Sequence, residues 1–235
     1  MKKSFLLLTC EHGGNKIPKR FRENFKNQEK LLATHRGLDI GALGIAKLLS
    51  KSLGAPLVAS EISRLLVDLN RSIGHEGQFS KISSKIKERD FILENYYYPH
   101  HIRVQNQINK ALMASNQIIH LGIHSFTPKL KGEVRHTDIG ILFDPKILLE
   151  IKFSRLLKEQ LKISAPELRV RMNYPYKGTS DGLTRSLRRA FGKTTYAGIE
   201  IEINQKFFTS DMKQNQKRMA HLFSQSIQNA KDLLR

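Results

Sequence analysis

The sequence predicts an α/β fold in which a central sheet is covered by helices on both faces. Short apolar, strand-like runs alternate along the chain with amphipathic segments of helical period, which is the pattern expected of such a sheet. The 235 residues, 40% of them hydrophobic, are enough for a sizeable core and correspond to one large domain or two small ones. Because no internal repeat or low-complexity linker divides the chain, we interpret residues 1–235 as one domain.

Strands are predicted where short apolar runs end at glycine, proline or polar residues. In the last of these runs Glu200 and Glu202 lie two apart and therefore share a face. Charged side chains on a buried face need partners or a function, whereas on an edge strand they are ordinary surface. The predicted strands are residues 5–11, 56–60, 118–123, 138–143, 168–173 and 196–204.

Helices are predicted where apolar residues recur at spacings of three and four. The stripe Leu38–Leu53 predicts a helix that Gly54 ends. Residues 85–116 are predicted to be helical but interrupted, because Pro99 disrupts any helix that it enters. The other two predicted helices are one that follows Pro145 and a closing helix with the apolar stripe Met219, Phe223, Ile227, Ala230 and Leu234.

The N-terminal run superficially resembles a lipoprotein signal, but we interpret it as the first strand. Its apolar part is shorter than the about 7–15 residues of a secretory segment, and Glu11 and His12 follow at once. No run approaches the roughly 18 apolar residues of a membrane span. We therefore expect a soluble, cytoplasmic protein with no membrane partner.

The single cysteine, Cys10, excludes an intramolecular disulfide and a cysteine-based zinc site. Any metal must be held by histidine and carboxylate. The net charge of +19 raises the prospect of a polyanionic partner such as nucleic acid. The basic residues are spread along the chain without a recognised nucleic-acid motif, so a solvated basic surface is favoured and nucleic-acid binding is the less favoured alternative.

Two histidines stand where predicted strands end. His12 follows the first strand and His124 follows residues 118–123. In an open α/β sheet the carboxyl ends of strands border the ligand crevice, so two imidazoles there can converge on one metal or one substrate. Alternation places His120 on the face of His124 but deeper in the strand, where we expect a packed histidine. Next to His12, Gly13 and Gly14 permit close approach to a ligand, although glycine pairs also form ordinary turns.

The segment from Ser63 to Arg71 suits recognition of a small acidic molecule. Arg64 and Arg71 offer planar donors that match a carboxylate, and Asn70 can orient the same group. The structural alternative is a simple ion pair between Asp68 and Arg71.

Taken together, these blocks resemble the N-formylglutamate amidohydrolase family over nearly the whole chain. Each block is weak alone, but their joint occurrence in order is specific. The resemblance implies a mixed, mostly parallel central sheet of the zinc-carboxypeptidase/phosphorylase-hydrolase-like kind. The blocks are Thr9–Asn15 with Ile17-Pro18, His35–Ala42, Ser63–Arg71, Tyr98–His101, Gly122–Phe126, Asp138–Leu142, Asn173–Tyr176 and Glu200–Asn204.

The resemblance also implies roles for single residues. His12 and His124 would bind Zn²⁺ or another divalent metal, Asn70 and Arg71 would hold a substrate carboxylate, and Glu202 would be the general base. A carboxypeptidase-like glutamate three positions after the first histidine is replaced here by Asn15.

The third metal ligand is therefore open. Asp39 is the first choice, because it lies in a family-like block and carboxylate oxygen is a normal zinc ligand, and Glu11 is the second. Asp39 could instead cap the helix that it opens. Arg64 could assist Arg71, and Tyr176 or His101 could donate a hydrogen bond to a developing oxyanion.

The expected activity is hydrolysis of an N-formyl or N-acyl acidic amino acid, such as N-formyl-L-glutamate, to formate and glutamate. Two alternatives stay open: a metal-dependent carboxypeptidase or deacylase that acts on another acidic substrate, and a basic nucleic-acid-binding protein on the same scaffold. The sequence leaves the oligomeric state undetermined.

Overall fold

A computed structural model describes residues 4–115 and 117–234 of the chain. Its main feature is a six-stranded sheet in the order β2-β1-β3-β8-β6-β7. The strands of this sheet are β1 (Ser4–Cys10), β2 (Leu57–Ala59), β3 (Gln117–Phe126), β6 (Ile139–Leu142), β7 (Val170–Met172) and β8 (Tyr196–Asn204), and a small hairpin consists of β4 (Lys129–Leu130) and β5 (Glu133–Val134).

Strand directions make the sheet mixed. β2, β1, β3 and β8 are mutually parallel, whereas β6 runs antiparallel to β8 and is joined by the parallel β7. The predicted mixed, mostly parallel α/β sheet is therefore confirmed. Since β1, β3 and β8 are parallel neighbours, their carboxyl ends meet at one edge of the sheet.

Helices cover both faces of the sheet. The helices are α1 (Glu29–Leu32), α2 (Ala42–Leu53), α3 (Arg89–Ile92), α4 (Tyr98–Leu112), α5 (Leu148–Ser164), α6 (Leu183–Phe191) and α7 (Met212–Leu233). On one face, Ile119, Leu121 and Ile123 of β3 belong to a core cluster with α2, α5 and α7. On the other face, Ile118 packs with α4 and α6. The second face is the one that carries His120 and His124.

Two helix predictions differ in detail from the structure. α2 begins at Ala42, after Gly41 at φ 84°, rather than at Leu38, and it ends at Gly54 with φ 60° as predicted. The interrupted region consists of α3, a π-helical turn over Leu93–Tyr97, and α4. Pro99 lies in the first turn of α4, directly after the π-helical turn, where the regular α-helical hydrogen-bond pattern is already interrupted, so the chain remains helical around it.

The long segment between β2 and α3 has a small core of its own. Leu66, Val67 and Leu69 pack there with Phe21 and Ile92, all buried. This core fixes the Ser63–Arg71 segment next to the carboxyl edge of the sheet. Within residues 4–115 and 117–234, no helix has the length and apolar character needed to cross a membrane.

Candidate metal centre

His12, Asp39 and His124 meet at the carboxyl edge of the sheet. His12 follows β1, Asp39 precedes α2 and His124 lies near the end of β3, and one ligand atom from each residue lies within 4.8 Å of the others. Oδ2 of Asp39 is 2.9 Å from Nδ1 of His124 and 3.4 Å from Nδ1 of His12. The N-cap of α2 is Gly41, without a side-chain capping bond. The Asp39 carboxylate thus faces the two histidines rather than capping the helix.

A buried carboxylate faces the second nitrogen of each histidine. Nε2 of His12 is 2.7 Å from Oδ1 of Asp68, and Nε2 of His124 is 3.0 Å from Oε2 of Glu11. Metal-bound histidines commonly donate their other N–H to a carboxylate, which fixes the tautomer and the ring orientation. Glu11, the second choice as third ligand, therefore lies behind His124 and not in the cluster.

The electrostatics of the cluster favour charged groups. Burial acts to raise the pKa of Asp39, but His12, His124 and Arg64 outweigh it and hold that pKa well below its usual range. Burial acts to lower the pKa of His124, but Asp39 and Glu11 outweigh it and raise that pKa well above its ordinary value. In the metal-free protein the neighbouring carboxylates therefore favour the protonated, positively charged form of both histidines.

The donor set fits a divalent cation. Four carboxylates are buried at the centre: Glu11, Asp39, Asp68 and Glu202. The guanidinium of Arg64 pairs with two of them, Asp39 and Asp68. Buried carboxylates are costly unless they are paired or coordinate a metal. Two imidazoles and one carboxylate are also a usual ligand set for catalytic zinc.

Arg64 lines the cavity, but its guanidinium is paired with two carboxylates of the centre. Its guanidinium is 2.8 Å from Oδ2 of Asp68 and 3.3 Å from Oδ1 of Asp39. The ion pair that we considered between Asp68 and Arg71 is not formed, because the Asp68 carboxylate is occupied by Arg64 and His12. Nη1 of Arg71 instead donates to the backbone oxygen of Asp181 at 2.7 Å.

Glu202 projects towards the same edge from β8. It is the direct neighbour of His124 in the pairing of β3 with β8, and its buried Oε2 has no hydrogen-bond partner among the residues that the structure describes. Burial raises the pKa of Glu202 to about 8.

Glu200, two residues earlier on the same face, accepts a hydrogen bond from Oγ1 of Thr184 at 3.1 Å. Nδ2 of Asn70 is 3.5 Å from the same Glu200 oxygen, while Oδ1 of Asn70 accepts from the N–H of Leu183 at 2.7 Å.

These side chains surround a cavity of about 200 Å³. A larger cavity of about 380 Å³ lies near the end of α5 and along α7, but its lining holds no comparable cluster of metal-ligating groups, so we place the site in the smaller one. The smaller cavity is lined by the predicted residues His12, Asp39, Arg64, Asn70, Arg71, His124, Tyr176 and Glu202, together with Ser125, Lys177, Ser180, Asp181 and Glu200, which were not predicted.

His101 is the predicted site residue that the structure does not bring to the cavity. Its ring stacks on Tyr97 at 4.1 Å, and its Nε2 lies 3.0 Å from the backbone oxygen of Leu69. Tyr176 does line the cavity, and its hydroxyl accepts from Nη1 of Arg135 at 3.2 Å. His120 is packed, as expected, between Thr9 and Tyr196, and burial lowers its pKa to about 4.

Two contacts of the centre are not predicted from the sequence: Asp68 as the partner of His12, and His100 as a neighbour of Glu11. His100 stands next to the histidine that we selected, and Asp68 lies inside the arginine-containing segment that we singled out. A helical-type spacing of four between Arg64 and Asp68 was the available signal for their pairing.

The fold and the site define a class: α/β proteins with a histidine–carboxylate centre and basic residues at the carboxyl edge of parallel strands. The profile of the N-formylglutamate amidohydrolase family matches residues 4–209, and the chain belongs to that family. Membership indicates an amidohydrolase, a hydrolase of acyl amides.

Several solved structures are similar to the chain. A gene product of Agrobacterium tumefaciens shares 28% identity and a TM-score of 0.84, over 99% of this chain and 92% of that chain. An N-formylglutamate amidohydrolase from Ralstonia eutropha shares the fold at 17% identity and a TM-score of 0.65, over 98% of this chain and 94% of that one. A metallo-carboxypeptidase from Burkholderia cenocepacia is also matched, at 10% identity and a TM-score of 0.48, over 99% of this chain and 58% of that one. No protein with a curated description matches the chain.

Proposed function

We propose that this protein is a metal-dependent hydrolase that cleaves the amide of an N-formyl or other N-acyl acidic amino acid. For N-formyl-L-glutamate the products are formate and glutamate. The observation that carries the proposal is the joint placement of a potential metal-ligand cluster, a buried glutamate and an arginine in one small cavity.

In this proposal His12, Asp39 and His124 hold the metal, with Zn²⁺ the first choice for two imidazoles and a carboxylate. A divalent metal supplies Lewis acidity, which makes water reactive near neutral pH and polarises the scissile carbonyl. Asp68 and Glu11 orient the two histidines from behind.

Arg71 holds the substrate carboxylate. Nη1 of Arg71 donates a hydrogen bond to the backbone oxygen of Asp181, and this bond fixes the Arg71 side chain at the cavity wall. Asp181 is itself held by Ser72, whose backbone N–H and hydroxyl donate to the carboxylate at 2.8 and 2.5 Å. Lys177 adds positive charge to the same lining. A fixed guanidinium with free donors suits an anionic amino acid better than a neutral one.

Glu202 is the general base. It takes a proton from the attacking water and passes it to the departing amine as the carbon–nitrogen bond breaks. Burial raises its pKa to about 8, so in the metal-free protein it is mostly protonated at neutral pH. Positive charge nearby favours the ionised form, and the base is therefore competent when the neighbouring cluster holds a cation.

The arrangement of basic residues gives no support to the nucleic-acid alternative. Exposed lysine and arginine occur on α5 (Lys152, Arg155) and on α6 (Arg185, Arg189). These helices cover opposite faces of the sheet. Exposed basic residues therefore occur on both faces of the sheet rather than on one of them.

The test combines metal analysis of the purified protein with a formate-release assay on N-formyl-L-glutamate. We expect about one divalent metal per chain, loss of activity on chelation and recovery when metal is added back. N-acetyl amino acids and short peptides serve as comparison substrates. If the protein binds stoichiometric metal but releases no formate, the proposed metal centre stands and N-formyl-L-glutamate is excluded as the substrate. If formate release persists after complete removal of the metal, the metal-dependent mechanism is wrong.

A further inference from the structure

Glu11 and His100 form a buried layer behind His124. Each is about 1% exposed, and neither lines the cavity. Oε2 of Glu11 is 3.0 Å from Nε2 of His124, and Oε1 is 3.5 Å from Nε2 of His100. A glutamate without access to the cavity cannot touch substrate, yet its carboxylate is placed directly on a residue of the metal-ligand cluster.

The two ring nitrogens of His124 have different neighbours. Nδ1 faces Oδ2 of Asp39 inside the cluster, and Nε2 faces Glu11 on the other side of the ring. A metal held at the cluster is therefore separated from Glu11 by the imidazole itself. Glu11 is placed to control which nitrogen of His124 is free for the metal, rather than to bind the metal.

We infer that Glu11 and His100 are positioning residues of the metal centre. Oε2 of Glu11 lies 3.0 Å from Nε2 of His124, which favours the proton on that nitrogen and so leaves Nδ1 as the ligand atom, while Nε2 of His100 faces the second oxygen of Glu11 at 3.5 Å. The inference rests on the proposed function, because it requires that the His12, Asp39 and His124 cluster binds a metal.

The pair of Asp68 and Arg64, which lies behind His12, shows why Glu11 needs His100 as a second partner. Asp68, behind His12, is fixed by the guanidinium of Arg64 at 2.8 Å. Among the described residues Glu11 forms no ion pair with a lysine or an arginine, and the side chains that face its two oxygens are His100 and His124. A buried carboxylate that loses one of two partners is free to rotate or to become neutral, and it then no longer fixes the histidine.

The experiment measures metal affinity, which does not depend on the substrate. Metal-free wild type and variants are titrated with Zn²⁺ against a chromophoric chelator. Carboxylate partners of metal-bound histidines typically contribute 10- to 100-fold in metal affinity. We expect Glu11→Gln to raise the Kd for Zn²⁺ about 10- to 100-fold. His100→Leu should raise it by about 10-fold, whereas His100→Gln, which keeps a donor for Glu11, should restore most of the affinity.

His101→Gln is the matched control, because His101 is the next residue of the same helix and lies outside the cavity. It should bind Zn²⁺ as wild type does. The Co²⁺ absorption spectrum reports the ligand set, and Glu11→Gln should keep the wild-type bands with a lower affinity. Thermal unfolding of each metal-free variant separates loss of fold from loss of affinity, and the two His100 variants carry the test if Glu11→Gln does not fold.

A wild-type Kd in Glu11→Gln, or equal Kd values in the two His100 variants, overturns the inference. A changed Co²⁺ spectrum in Glu11→Gln overturns it too, because Glu11 would then be a ligand. If wild type itself binds no metal, the metal centre of the proposed function fails together with this inference. If wild type binds metal but releases no formate, only the proposed substrate fails.

Discussion

The replacement Glu202→Gln separates the proposed chemistry from metal binding. Glutamine has nearly the same shape as glutamate, so the packing of this position on β8 beside His124 should be retained. The change removes the group that would accept and transfer the proton. Metal content should therefore stay at the wild-type value while turnover falls.

The size of the effect follows from the role of a positioned base. General acid–base catalysis contributes typically 10²- to 10⁴-fold, which corresponds to about 3–5 kcal/mol of transition-state free energy. We expect kcat for formate release from N-formyl-L-glutamate to fall by that factor, with little change in KM. Glu200→Gln is the matched control: the Glu200 oxygen is already engaged by Thr184 and Asn70, and we expect a loss of less than about 10-fold.

The same variant also makes a prediction about stability of the metal-free protein. The pKa of Glu202 is raised from its ordinary 4.5 to about 8 by burial. The folded state therefore holds this proton more tightly than the unfolded state does. The contribution is fully present below pH 4.5 and is lost as the pH rises through 8. Chemical denaturation between pH 5 and 8 should show a steeper fall in the free energy of unfolding for wild type than for Glu202→Gln.

Two results would refute this reasoning. Glu202→Gln with more than about one tenth of the wild-type kcat and full metal content would exclude Glu202 as the general base. Loss of metal in Glu202→Gln, with Glu200→Gln unaffected, would instead make Glu202 a ligand of the centre.

Three further predictions concern the cavity and its surroundings. Arg71→Ala should raise KM roughly 10- to 100-fold, because hydrogen bonds to charged groups are worth about 1.5–3 kcal/mol, and steady-state kinetics with an unchanged KM would exclude the carboxylate contact. Gly140→Ala would place a Cβ 2.0 Å from the backbone oxygen of Tyr174 and should displace the loop that carries Tyr176. We expect it to destabilise the fold by about 1–3 kcal/mol and to raise KM, and a wild-type melting temperature and KM would contradict that contact. Added salt should raise KM while leaving the Zn²⁺ affinity nearly unchanged, because salt screens the surface field of a chain of net charge +19 more than it screens buried charges; equal salt dependence of both quantities would argue against this separation.

The ends of the strands were the predictable part of the site. Apolar runs predict β1 and β3, and the sequence alone places the histidines that follow or end them at one edge of the sheet. The alternation of Glu200 and Glu202 also indicated their shared face. These features follow from the two-residue alternation of side chains along a strand, and this alternation can be read directly from the sequence.

The partners of those residues were not predictable in the same way. Asp68 and Arg64 lie in a segment without regular period, held by a small core of its own that includes Leu66 and Ile92. The sequence analysis considers Arg64 as an assistant of Arg71 in binding substrate, and in the structure its guanidinium pairs with Asp68 and Asp39. His101 and His100 are adjacent on α4, and the helix turns them to different surroundings. Only the packing of this segment against the sheet determines which charged group faces which.

The contrast between the surface and the site explains why a strongly basic protein has an acidic centre. Exposed basic residues occur on helices on both faces of the sheet, and the net charge of +19 favours the approach of anions. At the site, the raised pKa of Glu202 keeps that side chain neutral in the metal-free protein, and three buried carboxylates (Glu11, Asp39 and Asp68) exceed by two charges the guanidinium of Arg64 that pairs with two of them. Buried charge is balanced only by groups in contact with it, so distant surface lysines cannot compensate the excess. The two protonated histidines can do so in the metal-free protein, and a divalent cation can do so with both histidines neutral, which is the form that binds metal.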